Sequence, residues 1–270
     1  MGTSNGISTP SGRRWGRTKR VITAHIANPG SVPPARIVSC VISALGGLGV
    51  GATPRNGSTR LSGSRENGGS RRTGGRGATK HAKQVGRAIA GLGRFANDVR
   101  DRGLAAALQE LDLGELEGRP AVEVIARVAE RLADGVGGLD GEILKTALNE
   151  AILEAAQLEE ELGFTDLETA LQTFLNEQGL AGLVELFLAR FVTNLVTGMI
   201  LDHVDQKTEN AAQTEALLAG IEIVSRDKAR AMIARFRSVG RFNRMDWFGA
   251  AGKRLGRELA DSIVAEFRTG

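Results

Sequence analysis

Ser225-Arg-Asp-Lys228 has the spacing of the serine–lysine motif of penicillin-recognising enzymes, in which a lysine three residues on accompanies a serine nucleophile. Here the serine opens an apolar-periodic stretch (Ala229, Met232, Ile233, Phe236) with no companion motif, so its type and place predict a helix cap. On that helix Arg226, Arg230, Arg237 and Arg241 fall within about 60° of one another at 100° per residue. They are candidate contacts for an anionic ligand, or a solvated stripe facing the acidic middle of the chain. Phosphate-loop chemistry fails on inspection. Gly47-Leu-Gly-Val-Gly51 is followed by Thr53-Pro-Arg-Asn-Gly-Ser, which cannot start the helix whose amides would hold a pyrophosphate. Gly252-Lys253 lacks the upstream glycine and following Ser/Thr of a Walker loop.

Other reactive groups are scarce. One cysteine, Cys40, excludes a disulfide framework and a cysteine-built zinc site, and no histidine base stands near it. His25, His81 and His203 are isolated, and Glu159-Glu-Glu161 lies in a solvated run. No nucleophile meets a base and no set of metal ligands forms, so the sequence predicts a non-enzymatic protein without metal or cofactor. The start differs. Removal of Met1 leaves Gly2 with a free α-amine, and Gly6 stands where a myristoylation pattern wants Ser or Thr.

The elements that must carry these residues divide by charge. Residues 1–87 hold 15 Lys/Arg against Glu66, residues 103–222 hold 6 basic against 23 acidic residues, and residues 223–270 return to a basic excess of six. The net charge of +4 is therefore a balance among unlike segments. Residues 1–79, rich in Gly, Ser and Arg with Trp15 as sole aromatic, bury too little apolar surface to fold and are expected to be disordered. The apolar island Ile37–Val50 reads as a strand or as a segment that orders on a partner. With the basic residues before it, the island has the outline of a secretory signal, but more than 20 residues and three prolines separate Arg13-Arg14 from it.

Residues 80–270 predict an all-α, bundle-like domain. Val85, Ile89, Leu92 and Phe95 recur at helical spacing, followed by Leu104–Leu111 and by a helix from Pro120 to Leu132 with Pro120 at its first position. A further helix runs over 140–162, and Thr165-Asp-Leu-Glu168 reads as a capping box. Leu180–Val204 has the length of a membrane span but contains Glu185, Arg190 and Asn194, which favours the central helix of a bundle and no membrane. A last helix, from about Asp246 to Phe267, buries Phe248, Ala251, Leu255, Leu259, Ile263 and Phe267.

Several stretches together resemble the QatB family of the Qat anti-phage defence system. They are the opening Met1-Gly-Thr-Ser4, the stretch Thr73-Gly-Gly-Arg-Gly-Ala-Thr-Lys80, and Leu111-Asp-Leu-Gly-Glu-Leu-Glu-Gly-Arg-Pro120-Ala-Val-Glu-Val-Ile. Leu139-Asp-Gly-Glu142 and Asp246-Trp-Phe-Gly-Ala-Ala-Gly252 complete the likeness. Residues 5–60 depart from the family's more proline-rich N-termini. The resemblance implies a non-catalytic component that partners QatC, an enzyme resembling the synthetase of 7-cyano-7-deazaguanine. It implies conjugation of a 7-deazaguanine to Gly2, with Thr3 and Ser4 as recognition residues. It also implies the other Qat components, an ATPase and a TatD-like nuclease, as partners, and a cytoplasmic protein. From the residues themselves, the alternative is non-specific nucleic-acid binding through the basic segment 1–87.

Overall fold

The computed structural model describes residues 12–45, 78–135, 139–157, 163–208, 210–242, 247 and 250–268. These form ten α-helices: α1 (Arg13–Ala27), α2 (Pro34–Ala44), α3 (Ala78–Arg102), α4 (Leu104–Glu110), α5 (Ala121–Leu132), α6 (Leu139–Ala156), α7 (Phe164–Glu177), α8 (Gly179–Asp205), α9 (Ala211–Ser238) and α10 (Ala250–Arg268). A 3-10 turn at Gly114–Leu116 follows α4, and no strand occurs among the described residues. The fold is all-α, as the periodicity predicts.

The axis of the bundle is α8. Its apolar side chains occupy most of its circumference, so only burial from several directions can satisfy it. It packs along α6 and α9 and meets α1, α2, α3 and α7. Phe187, Leu188, Val196, Ile200 and Val204 are fully buried. This helix alone among the described ones is long and apolar enough to cross a membrane, yet its apolar surface is spent inside the bundle.

A second close pair is α3 with α10. Here backbone meets backbone: a Cβ placed on Gly86 would lie 2.8 Å from the amide nitrogen of Arg257. Trp247, buried just before α10, lays its ring over Gly93 of α3 and stacks on Phe242 with ring centroids 6.2 Å apart. Leu255, Leu259, Ile263 and Phe267 form the buried face of α10. Ala251 is half-buried, and Phe248 lies outside the described residues.

The first two helices correct the expectation of disorder over 1–79. Residues 13–27 and 34–44 are helical and belong to the core, whereas residues 1–11 and 46–77 lie outside the described residues. On α1, Trp15, Thr18 and Ile22 recur at intervals of three and four and are buried, a stripe one side chain wide on an otherwise cationic helix. The apolar island is neither strand nor partner-dependent segment up to residue 44. Pro34 opens α2 in the first turn, where its missing N–H costs nothing. Ile37, Val38, Val41 and Ile42 then bury a helical face against α1, α8, α9 and α10. Gly47–Gly51 lie outside the described residues.

Three helix starts also differ from expectation. Pro120 is the N-cap of α5, one position before its first turn. The capping box of α7 is shifted by two residues, with Asp166 accepting the Gly163 amide at 3.1 Å. Glu168 instead accepts the Leu104 amide at 3.0 Å and so caps α4 across the fold. Ser225 caps nothing: α9 begins 14 residues earlier, where the Asn210 side chain accepts from the Ala212 amide at 3.1 Å. The predicted helix over 140–162 is α6 as far as Ala156, where Gln157 takes a left-handed φ of 51°; residues 158–162 lie outside the described residues.

Candidate functional site

Of the four arginines predicted as one stripe, Arg226, Arg230 and Arg237 lie on α9, whereas Arg241 falls three residues past its end at Ser238. Arg226 and Arg230 face the acidic helices α6 and α8. Arg226 reaches Glu154 of α6 at 2.5 Å and Glu222 at 3.4 Å. Arg190 of α8 meets the other oxygen of Glu154 at 2.8 Å and Glu222 at 3.0 Å. Two arginines and two glutamates from three helices thus close one half-buried square. Burial pushes the Glu154 carboxyl up, but hydrogen bonds from Arg226 and Arg190 outweigh it and hold the group below the usual carboxylate range. The hydrogen bond to Glu154 in turn raises Arg226.

The remaining arginines of the stripe have partners too. Arg230 pairs with Glu185 at 3.2 Å, Arg237 donates to the Gln178 carbonyl at 2.7 Å, and Arg241 pairs with Glu258 at 2.6 Å. All four predicted anion contacts therefore have acceptors within the chain. The polar residues that argued against a membrane span are matched in the same way, with Asn194 donating to Glu150 at 2.9 Å. Sequence reading set the stripe against the acidic middle of the chain but did not single out Glu154, Glu185 or Glu222. The signal it passed over was the pairing of two i,i+4 sets, Glu150/Glu154 on α6 and Arg190/Asn194 on α8.

The Ser-x-x-Lys spacing does not assemble a nucleophile. The Ser225 hydroxyl is buried without a hydrogen-bond partner, and Lys228 points to Glu266 at 3.9 Å. His203 is buried on α8 with Nε2 at 3.2 Å from the Thr23 hydroxyl and 3.3 Å from the Lys19 carbonyl. Burial lowers its pKa, favouring the neutral ring at the α1–α8 contact. His25 Nδ1 lies 2.6 Å from the Val32 carbonyl and ties α1 to the turn before α2. His81 carries no described side chain, and Cys40 is a free, half-buried thiol. Among the described residues no three His, Cys, Asp or Glu side chains could hold a metal ion.

A cleft of about 540 Å³ opens between α3, α4 and α5, with Arg87, Arg94, Asp98, Glu110, Arg131 and Lys253 on its walls. Asp98 is buried beneath it, raised by that burial, with Arg102 at 3.5 Å as its nearest cation. Mixed charge leaves this cleft without a single preferred ligand.

Gly2, Thr3 and Ser4 lie outside the described residues, but Arg13 is fixed to the bundle through Trp15, Thr18 and Ile22. The Thr18 hydroxyl donates to the Arg14 carbonyl at 3.1 Å and to Cys40 at 3.2 Å, locking α1 to α2.

These features define an all-α protein whose arginine–glutamate network joins helices to one another and whose first helix is docked on the bundle. The family model described as Qat anti-phage system associated protein QatB matches residues 73–241, more than half of the chain. The chain belongs to the QatB family and is a component of a Qat anti-phage system. Neither the curated proteins nor the solved structures give a match.

Proposed function

We propose that this protein is the non-catalytic, substrate-bearing subunit of its Qat system, acting in the cytoplasm. Its helical body docks the QueC-like enzyme QatC, and its N-terminal Gly2 receives a 7-deazaguanine, with Thr3 and Ser4 read by the enzyme. The ATPase and the TatD-like nuclease of the system are its further partners. Family membership supports the setting, and the anchoring of α1 is the observation that carries the reading.

Ten residues, and so eleven Cα–Cα steps, separate Gly2 from Arg13, and the terminus reaches at most about 40 Å from a fixed point on the bundle. A tether of that length keeps the Gly2 amine at high local concentration for an enzyme held on the same body. The docking surface must then lie within that radius of the start of α1.

The test is a linker series. Inserting 20 Gly/Ser residues between Ser11 and Gly12, with the neighbouring genes co-expressed, should slow modification of Gly2 about fivefold, following the −3/2 power of tether length. A rate independent of tether length, or faster with the insertion, would mean that the body does not hold the enzyme.

A further inference from the structure

Among the described residues no cation of the first two helices pairs with a carboxylate, whereas eleven of those from α3 onward do, Arg100, Arg102, Arg127, Arg131, Arg190 and Arg226 among them. Residues 12–45 contain six cations and no Asp or Glu. None of those six forms an ion pair; Arg14 and Arg20 only graze the carbonyls of Ser43, at 3.5 Å, and Gly16, at 3.4 Å. Positive charge here is left uncompensated on a rigid element.

Its arrangement is regular. Opposite the buried Trp15–Thr18–Ile22 stripe, Arg13, Arg17 and Arg20 lie within an arc of about 60° at 100° per residue, all exposed. Between and beyond them stand Gly16, Ala24 and Ala27, also exposed. From Arg13 to Arg20 the helix rises about 10 Å, the axial span of roughly three phosphates along one strand of a duplex. No side chain caps the first turn and no acid occupies it, so the free amides and helix dipole add positive potential at the Arg13 end.

We propose that this solvent face of α1 binds the phosphate backbone of nucleic acid. Three guanidinium groups flanked only by Gly and Ala let a phosphate chain approach the helix closely and be gripped by forked donors. The same composition disfavours the two other occupants of a cationic helix. A protein interface needs aromatic or aliphatic anchors at its centre, and this face has none. A membrane surface needs an apolar face, and the apolar face of α1 is buried in the bundle. Contacts to phosphate alone carry no sequence information, so binding is non-specific and salt-dependent. This role is independent of any chemistry at Gly2.

The test uses the unmodified full chain with a 20-base-pair DNA duplex, a 20-nucleotide DNA strand and a 20-nucleotide RNA, titrated by fluorescence anisotropy at several salt concentrations. The expected result is binding to at least one of the three. The triple variant Arg13→Gln, Arg17→Gln, Arg20→Gln should weaken it at least tenfold at 0.15 M salt and, on the duplex, reduce the salt slope by about 2–3. Two controls fix the location. Arg87→Gln, Arg94→Gln, Lys253→Gln removes three cations that also lack ion pairs and should change affinity less than threefold. Neutralising Arg55, Arg60, Arg65, Arg71, Arg72 and Arg76 should leave a salt slope that the α1 triple variant still lowers. The proposal is overturned if the wild type binds none of the probes or binds poly-glutamate of equal charge as tightly. It is also overturned if the α1 variant binds like wild type, or if the Arg87/Arg94/Lys253 variant loses as much.

Discussion

The hydroxyl of Thr18 donates to the carbonyl of Cys40 at 3.2 Å, a bond between two helices drawn from the most basic and glycine-rich third of the chain. Through it and the burial of Ile22, α1 is part of the bundle. Truncation of Ile22, fully buried, should therefore behave as a core mutation. Ile22→Ala is expected to cost about 2–5 kcal/mol and Thr18→Val about 1 kcal/mol in urea unfolding of the whole chain. A change below about 0.5 kcal/mol for Ile22→Ala would show that α1 is not docked in solution.

Two glycine-to-alanine substitutions should have opposite signs. In Gly86→Ala the new methyl meets the Arg257 backbone at 2.8 Å, so the α3–α10 pair must separate, costing about 1–3 kcal/mol despite the better helix propensity of alanine. In Gly16→Ala the methyl meets nothing within 4 Å, and a gain of about 0.5–1 kcal/mol is expected. Thermal unfolding of the two variants beside wild type decides it; equal shifts would contradict the close crossing.

The square around Glu154 sets an acid-side pH dependence. Its folded pKa is depressed, so its stabilisation is present above the unfolded value, about 4.3, and is lost as pH falls through the folded one. Asp98 acts with the opposite sign: raised by burial, it stabilises in its protonated form and loses that contribution as pH rises through its folded pKa. At pH 7, Glu154→Gln should cost about 1–3 kcal/mol, while Asp98→Asn should be neutral or stabilising. Chemical denaturation at pH 7 and pH 4 checks both, and the penalty of Glu154→Gln should shrink at the lower pH.

The helices from α3 onward were legible because their apolar residues repeat at 3.6-residue spacing over three or more turns. The first two were not, for a compositional reason. Averaged with the Gly/Ser/Arg stretch of residues 46–77, the single stripe of Trp15, Thr18 and Ile22 vanishes among five cations, and four buried residues of α2 read as an isolated island. The arginine stripe of α9 was visible as a pattern, but its partners were not. Glu154 and Glu185 lie 72 and 45 residues away from Arg226 and Arg230, and only the packing of α6 and α8 on α9 brings them together. Ser225 misled because α9 extends 14 residues upstream of it, through Leu217 and Ile221.

The central proposal is that the chain presents Gly2 for modification, and the mass of its N-terminal peptide tests that most directly. The full chain, produced with its neighbouring genes and with the QueC-like enzyme intact, should show an added deazaguanine-sized mass confined to the peptide beginning at Gly2. That mass should disappear when the enzyme gene is removed. An N-terminal peptide of unmodified mass in the presence of all the neighbouring genes would contradict the account.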